Sequence, residues 1–304
     1  MTLNPIVTFD KELQKFMITS KTEAKEIEPV ITISDSVFAI KGGISMITGL
    51  PKGGKTTVVK IMIETAFMES VYEGYDCLNI RTAYEPDKSV MYINTEMTDS
   101  DMIKLRNQIC KHLQVDTMPP NLHIFHLLTL SPVQRMQMIK KAIEQAGNVS
   151  LLLIDGYADL VGSVNEEKEC NQVVQELQNI AQQYNLAIVG VIHENRGNQN
   201  TRGHIGQQLE RKCVASISVK KIREKKLFEI KSNMMRHSDD FEAIHYHYNQ
   251  DGRLQLISEA MKEVVKFDKK REEIHFCELV FGIDKEIAET EFRDRLRKFY
   301  KEEE

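Results

Sequence analysis

The chain has 304 residues, a net charge of −5, and apolar and charged fractions of 41% and 28%. Those fractions are ordinary for a globular protein of one large α/β domain with appendages, or of two modest domains. The acidic balance excludes a global electrostatic pull toward nucleic acid or membrane, so any nucleic-acid surface has to be local.

Five cysteines (Cys77, Cys110, Cys170, Cys213 and Cys277) form no C-x-x-C pair and are odd in number, which points away from a disulfide framework or a zinc site. There is no signal-peptide core and no apolar run of transmembrane length, so the expected setting is a reducing cytoplasm with no membrane partner.

Residues 1–28 are polar, with a short amphipathic helix expected around Phe9–Ile18. Such an arm reads either as a loosely ordered tail or as a segment that docks on a neighbouring subunit. From Pro29 the text changes. Val30–Ile33 and Val37–Ile40 read as short strands, and Gly42-Gly43 turn the chain into an apolar strand at Ile44–Thr48.

Next comes Gly49-Leu50-Pro51-Lys52-Gly53-Gly54-Lys55-Thr56, which fills every fixed position of the phosphate-loop pattern G-x-x-x-x-G-K-[ST]. Apolar residues at helical spacing follow from Thr57 to Met68, so the motif lies in the strand, turn, helix context that it needs. Backbone N–H groups of such a loop curl around phosphate oxygens, and the helix N-terminus adds its positive end. Lys55 is expected to reach the β- and γ-phosphates of ATP and Thr56 to ligate Mg²⁺, with Thr57 completing the nucleotide-binding set.

Residues 73–88 show no period and read as a surface loop. Ser89–Asn94 is the next strand, followed by a helix from about Asp99 to Leu113 and a short strand at Leu122–Leu127. A helix opens at Ser131-Pro132 and ends near Gly147. The strand Val149–Asp155, a helix over Glu166–Tyr184 and the strand Ala187–Ile192 complete an alternating series. Nearly continuous apolar strands between helices call for a parallel sheet covered on both faces. From Cys213 successive strands at Val214–Val219, Leu227–Lys231, Ala243–Tyr248 and Arg253–Ile257 predict an antiparallel meander. The last forty-odd residues read as short charged helices forming a packing appendage.

Three strand ends carry chemistry. Asp155 closes the most apolar strand, where a carboxylate can hold Mg²⁺ beside the phosphate loop. Glu96 follows the strand Ser89–Asn94, where an ionised carboxylate can polarise an attacking water; a solvated loop residue is the plainer reading. His193 closes the third strand, either as a structural residue or as a sensor of the γ-phosphate.

Residues 194–212 form a polar loop running into a short helix, and Arg196 and Arg202 there are candidates for phosphate-backbone contact or for insertion into a neighbouring ATP site. From Arg211 to Arg236 nine Lys and Arg stand against two Glu, a surplus of seven in an acidic chain. This is either the footprint of a polyanion partner or a solvated hairpin tip.

The phosphate loop, Asn94-Thr95-Glu96-Met97, Leu153-Ile154-Asp155-Gly156 and Val191-Ile192-His193-Glu194-Asn195 together resemble the RecA-like ATPases over residues 28–257, specifically the RepA- and DnaB-type hexameric helicase branch. The resemblance implies an α/β fold: a RecA-like P-loop NTPase core at 29–257 with a mostly parallel sheet and an antiparallel extension, an N-terminal arm at 1–28 and a small helical C-terminal region at 258–304. It also implies Glu96 as catalytic base, His193 as sensor, a homo-oligomeric ring, and a basic residue acting across the subunit interface. Where relatives carry K-x-R, this chain has Lys231-Ser232-Asn233, so Lys231, Arg236 and Arg202 all stand as candidates for that residue. The expected activity is ATP hydrolysis coupled to single-stranded DNA; the alternative is an ATP-switched module that acts through a protein partner. A small-molecule kinase is disfavoured because no arginine-rich lid is evident.

Overall fold

The computed structural model describes residues 9–24, 26–195, 201, 203–222 and 227–257. The chain opens with one turn of helix, α1 (Lys11–Gln14), capped by the Asp10 carboxylate, which accepts from Glu12 N and Leu13 N at 2.9 Å. The longer amphipathic helix expected over Phe9–Ile18 does not form. Phe16 and Ile18 are 80% and 86% exposed, so the apolar face has nothing to pack against, and so short a helix is marginal without packing.

A hairpin of β1 (Pro29–Ile33) and β2 (Ser36–Ile40) follows, turning through Ser34 and Asp35, both at positive φ. The alternating core then runs β3 (Ile44–Gly49), α2 (Lys55–Ala66), β4 (Ile80–Thr82), β5 (Ser89–Asn94), α3 (Asp99–His112), β6 (Leu122–His126), α4 (Pro132–Ala146) and β7 (Val149–Asp155). A 3-10 turn (Tyr157–Leu160) leads to α5 (Glu167–Tyr184), β8 (Ala187–His193) and α6 (Gly203–Lys212). The described chain ends through β9 (Ala215–Ile222), β10 (Leu227–Met235), β11 (Ile244–Tyr248) and β12 (Leu254–Leu256).

One nine-stranded sheet has the order β12-β11-β10-β9-β3-β8-β7-β5-β6, and a small sheet has the order β2-β1-β4. From β9 to β6 all neighbours are parallel; β10, β11 and β12 add antiparallel strands at one edge. The protein is therefore an α/β fold with a mostly parallel sheet and an antiparallel extension. One apolar layer gathers α2, α3 and the small sheet; the other gathers α4, α5 and α6. A sheet buried on both faces explains why β3, β5 and β7 are buried at every position.

Two expectations are corrected. Residues 73–88 are not simply a surface loop: Ile80–Thr82 pairs with β1 as β4, and Leu78 and Cys77 are 0% and 6% exposed. Local bonds fasten this stretch, with Tyr75 Oη donating to the buried Glu64 carboxylate and Asp76 Oδ2 accepting from Leu256 N at 2.6 Å. The meander is not antiparallel from its start either. β9 lies parallel to β3, with Ser45 opposite Ala215 and Thr48 opposite Ser218, because α6 supplies the crossover that a parallel neighbour requires.

The expectations for 1–8, 258–304, Arg196, Arg202 and the turn 223–226 fall outside the described residues. Among the described residues no helix is long and apolar enough to cross a membrane.

Candidate active site

The parallel register brings one strand end after another to the same edge of the sheet. Gly49 lies opposite His193, and Asn94 lies opposite Asp155. That carboxyl edge is where α/β sheets hold ligands. Between β3 and α2 the chain turns through Lys52 (φ 62°) and Gly54 (φ 100°), and Gly54 caps α2 without any side-chain hydrogen bond. The helix N-terminus is thus left to receive an anion. Gly49 cannot be exchanged for a larger residue: a Cβ there would lie 2.2 Å from Val219 O.

A cleft of about 480 Å³ opens over this loop. Pro51 to Thr57 form its floor, Glu96, Asp155 and His193 one wall, and Phe228 the other. Leu50 is 43% exposed at the rim of the turn.

Lys55 is 6% exposed, and its Nζ donates to Gly49 O and Leu50 O at 2.9 Å and to His193 Nδ1 at 3.1 Å. Burial lowers its pKa, while Asp155, Glu96 and Glu194 oppose that shift with their negative charge. Because the ammonium group only donates, His193 Nδ1 is the acceptor. The proton then sits on Nε2, which lies 3.1 Å from both Glu96 carboxylate oxygens. Lys55, His193 and Glu96 form one hydrogen-bonded chain. The turn carrying Glu96 is fixed by Asn94, whose Oδ1 accepts from Glu96 N at 3.1 Å and Met97 N at 2.7 Å.

Asp155 is 4% exposed, and its Oδ2 accepts from Tyr92 Oη at 3.0 Å and from Thr56 Oγ1 at 3.2 Å. Burial raises its pKa, and the negative charge of Glu96 adds to the rise against hydrogen bonds from Tyr92 and Thr56. A buried carboxylate beside a second carboxylate calls for a cation. Among the described residues no group of three or more His, Cys, Asp or Glu could hold a metal by itself. Thr56 Oγ1 and Asp155 Oδ2, 3.2 Å apart beside the loop, are the hard oxygen donors that Mg²⁺ takes together with phosphate and water.

The remaining candidates lie apart. Lys231 is exposed in mid-β10, opposite Ser218. Arg236 sits beyond Met235, whose partner Ala215 faces the amino end of β3, so it is at the edge away from the phosphate loop. Its guanidinium is engaged within the chain, donating at 2.8 Å to Cys213 O and to Arg211 O. Asn233, which stands at the last position of the K-x-R pattern, directs its amide toward Thr48 Oγ1 and Ser216 Oγ at 3.5 Å.

Sequence reasoning gives no role to Tyr92, Asn94 or Phe228. Only the register of β5 with β7 brings the first two to Asp155, and only the pairing of β10 with β9 brings Phe228 to the loop.

A phosphate loop at the end of the first core strand, with acidic and imidazole groups on the adjoining strand ends, defines a P-loop NTPase of RecA-like class. The model for AAA domains of the AAA_25 family matches residues 17–199, more than half of the chain. The chain belongs to that family of P-loop ATPase domains, and membership implies ATP binding and hydrolysis with Mg²⁺. No curated protein matches the chain.

Proposed function

We propose that this protein is a self-associating ATPase that hydrolyses ATP with Glu96 as general base and couples the reaction to single-stranded DNA. The observation that carries the reading is His193, which contacts both Lys55 and Glu96 at the root of the polar segment beginning at Glu194. Through it, whatever occupies Lys55 is felt by the base and by the segment that follows.

In the reaction, loop N–H groups and Lys55 hold the triphosphate, with Lys55 leaving the carbonyls of Gly49 and Leu50 for phosphate oxygens. Glu96, 38% exposed at its side chain, is open to solvent and takes a proton from water. The water oxygen bonds to the γ-phosphorus as the bond to the bridging β,γ-oxygen breaks, and ADP and phosphate leave. Thr56 and Asp155 would hold Mg²⁺, which when bound would neutralise charge on the phosphates. His193 aims Glu96 by donating from Nε2.

The DNA assignment is supported by Lys220, Lys221 and Lys231, all exposed on the paired strands β9 and β10. A homo-oligomer of the hexameric helicase type would set these strands beside a neighbour, with exposed Lys231 as a candidate for the cation acting across the interface. Arg236, being bonded within its own chain, favours a second reading, an ATP-switched module acting on a protein partner.

ATP turnover measured with and without single-stranded DNA across a salt series separates the two. The motor reading expects stimulation that falls steeply with salt. Turnover indifferent to DNA at low salt would leave the switch reading.

A further inference from the structure

Glu96 sits in the turn between β5 and α3, and a carboxylate on a turn is aimed only as well as the turn is held. From the β7 side that turn is anchored twice. Asn94 Oδ1 accepts from Glu96 N and Met97 N, and Thr95 Oγ1 donates to Asp159 Oδ2 at 2.7 Å and lies 3.2 Å from Asp155 O. The other side belongs to His126, the last residue of β6, which lies opposite Asn94 in the parallel register.

His126 Nε2 lies 2.7 Å from Met97 O. A carbonyl only accepts, so Nε2 carries the proton and donates. Nδ1 lies 2.6 Å from Asp99 Oδ1, a contact that becomes an ion pair when the ring holds both protons. Asp99 is 88% exposed at its side chain, so that pair contributes little, and the partly buried bond to Met97 O carries the weight.

Helix capping and strand pairing do not account for this bond. α3 is already capped by Thr98, whose Oγ1 accepts from Asp101 N at 3.3 Å. The pairing of β6 with β5 already closes with Leu127 N donating to Asn94 O at 2.8 Å. What the imidazole adds is a grip on the backbone one residue beyond Glu96. The grip has a firm root in Arg135 of α4, which donates to Leu127 O at 3.1 Å and Leu128 O at 2.9 Å, just past His126. Its Nη1 also donates to Asp159 O at 2.6 Å, so Thr95, Asp159, Arg135 and His126 close a ring of bonds around the turn.

We propose that His126 is a positioning residue for ATP hydrolysis, aiming Glu96 by holding Met97 O. It does not line the cleft and acts through the turn, so its loss lowers turnover and leaves ATP binding in place. The inference rests on Glu96 as general base, and its test keeps the two apart.

Turnover and ATP affinity are measured on the full chain as wild type, His126→Asn, His126→Gln, Glu96→Gln and the double variant of His126→Asn with Glu96→Gln. A glutamine amide can take the place of Nε2 and keep the bond to Met97 O, whereas an asparagine amide reaches only the place of Nδ1. The expected result is that His126→Asn loses about 10-fold in kcat, with KM and ATP affinity within about twofold of wild type. His126→Gln should recover most of that loss. In the double variant turnover should stay within about twofold of Glu96→Gln alone, because nothing is left to aim. A His126→Asn protein with wild-type kcat or without ATP binding, a His126→Gln defect matching that of asparagine, or a further fall of the same size in the double variant would each overturn the role. Turnover of Glu96→Gln near the wild-type rate would instead contradict the general-base reading.

Discussion

The imidazole of His193 faces Glu96 squarely, with Nε2 3.1 Å from each carboxylate oxygen, while Nδ1 takes a hydrogen from Lys55 at the same distance. The loop lysine and the proposed base are thus joined through one side chain. Because both ring nitrogens are engaged, changing His193 alters Glu96 and Lys55 together.

Replacing His193 by Ala is expected to lower kcat for ATP by about 10- to 100-fold, since a general base that loses its orienting partner forfeits part of its contribution. KM should change little, because the loop N–H groups and Lys55 remain. His193→Asn, which can keep one of the two bonds, should fall between. Steady-state kinetics of the three proteins checks this, and a pure KM effect would remove His193 from the positioning role.

Gly54→Ala is expected to destabilise the protein by about 1–3 kcal/mol, from strain at positive φ and collision with the rings of Phe228 and Tyr246. Thermal unfolding measures the loss. ATP binding should fall with it, because the same backbone forms the loop. An unchanged melting temperature would mean that the aromatic pair does not rest on the loop.

The fold was legible wherever the information is local. Gly49 to Thr56 carries its own turn chemistry, and Asp155 and His193 end apolar runs that announce buried parallel strands. What escaped depends on register between distant segments. Three residues, Ile80-Arg81-Thr82, have no period, and only pairing with β1 makes them a strand. The aromatic wall exists because Phe228 pairs opposite Tyr246 across β10 and β11, a relation that spacing along the chain does not encode. Arg236 is on sequence a candidate for the residue acting across the interface; its bonds to Cys213 O and Arg211 O depend on β10 continuing to Met235, four residues beyond the strand expected to end at Lys231.

Glu229 lies opposite Lys220 on β9 and accepts from His245 Nε2 at 2.9 Å. That hydrogen bond holds its pKa below the ordinary carboxylate value, with partial burial opposing. A carboxylate whose folded pKa is depressed stabilises the fold above its unfolded value and loses that contribution as pH falls through the folded value. Glu229→Gln should therefore lower stability near neutral pH by less than about 1 kcal/mol, the pair being partly exposed. The difference from wild type should vanish below the folded pKa. Paired denaturation curves at neutral and strongly acidic pH test it, and a pH-independent difference would place the effect in packing.

The account turns on Glu96, and the most direct test compares ATP hydrolysis and ATP binding in wild type and Glu96→Gln. Glutamine keeps the size of the side chain and cannot take a proton from water. Turnover should fall by about 100-fold or more while ATP affinity stays within a few-fold of wild type. Turnover retained near the wild-type rate would show that another group activates the water, and the chain from Lys55 through His193 to Glu96 would lose its catalytic meaning.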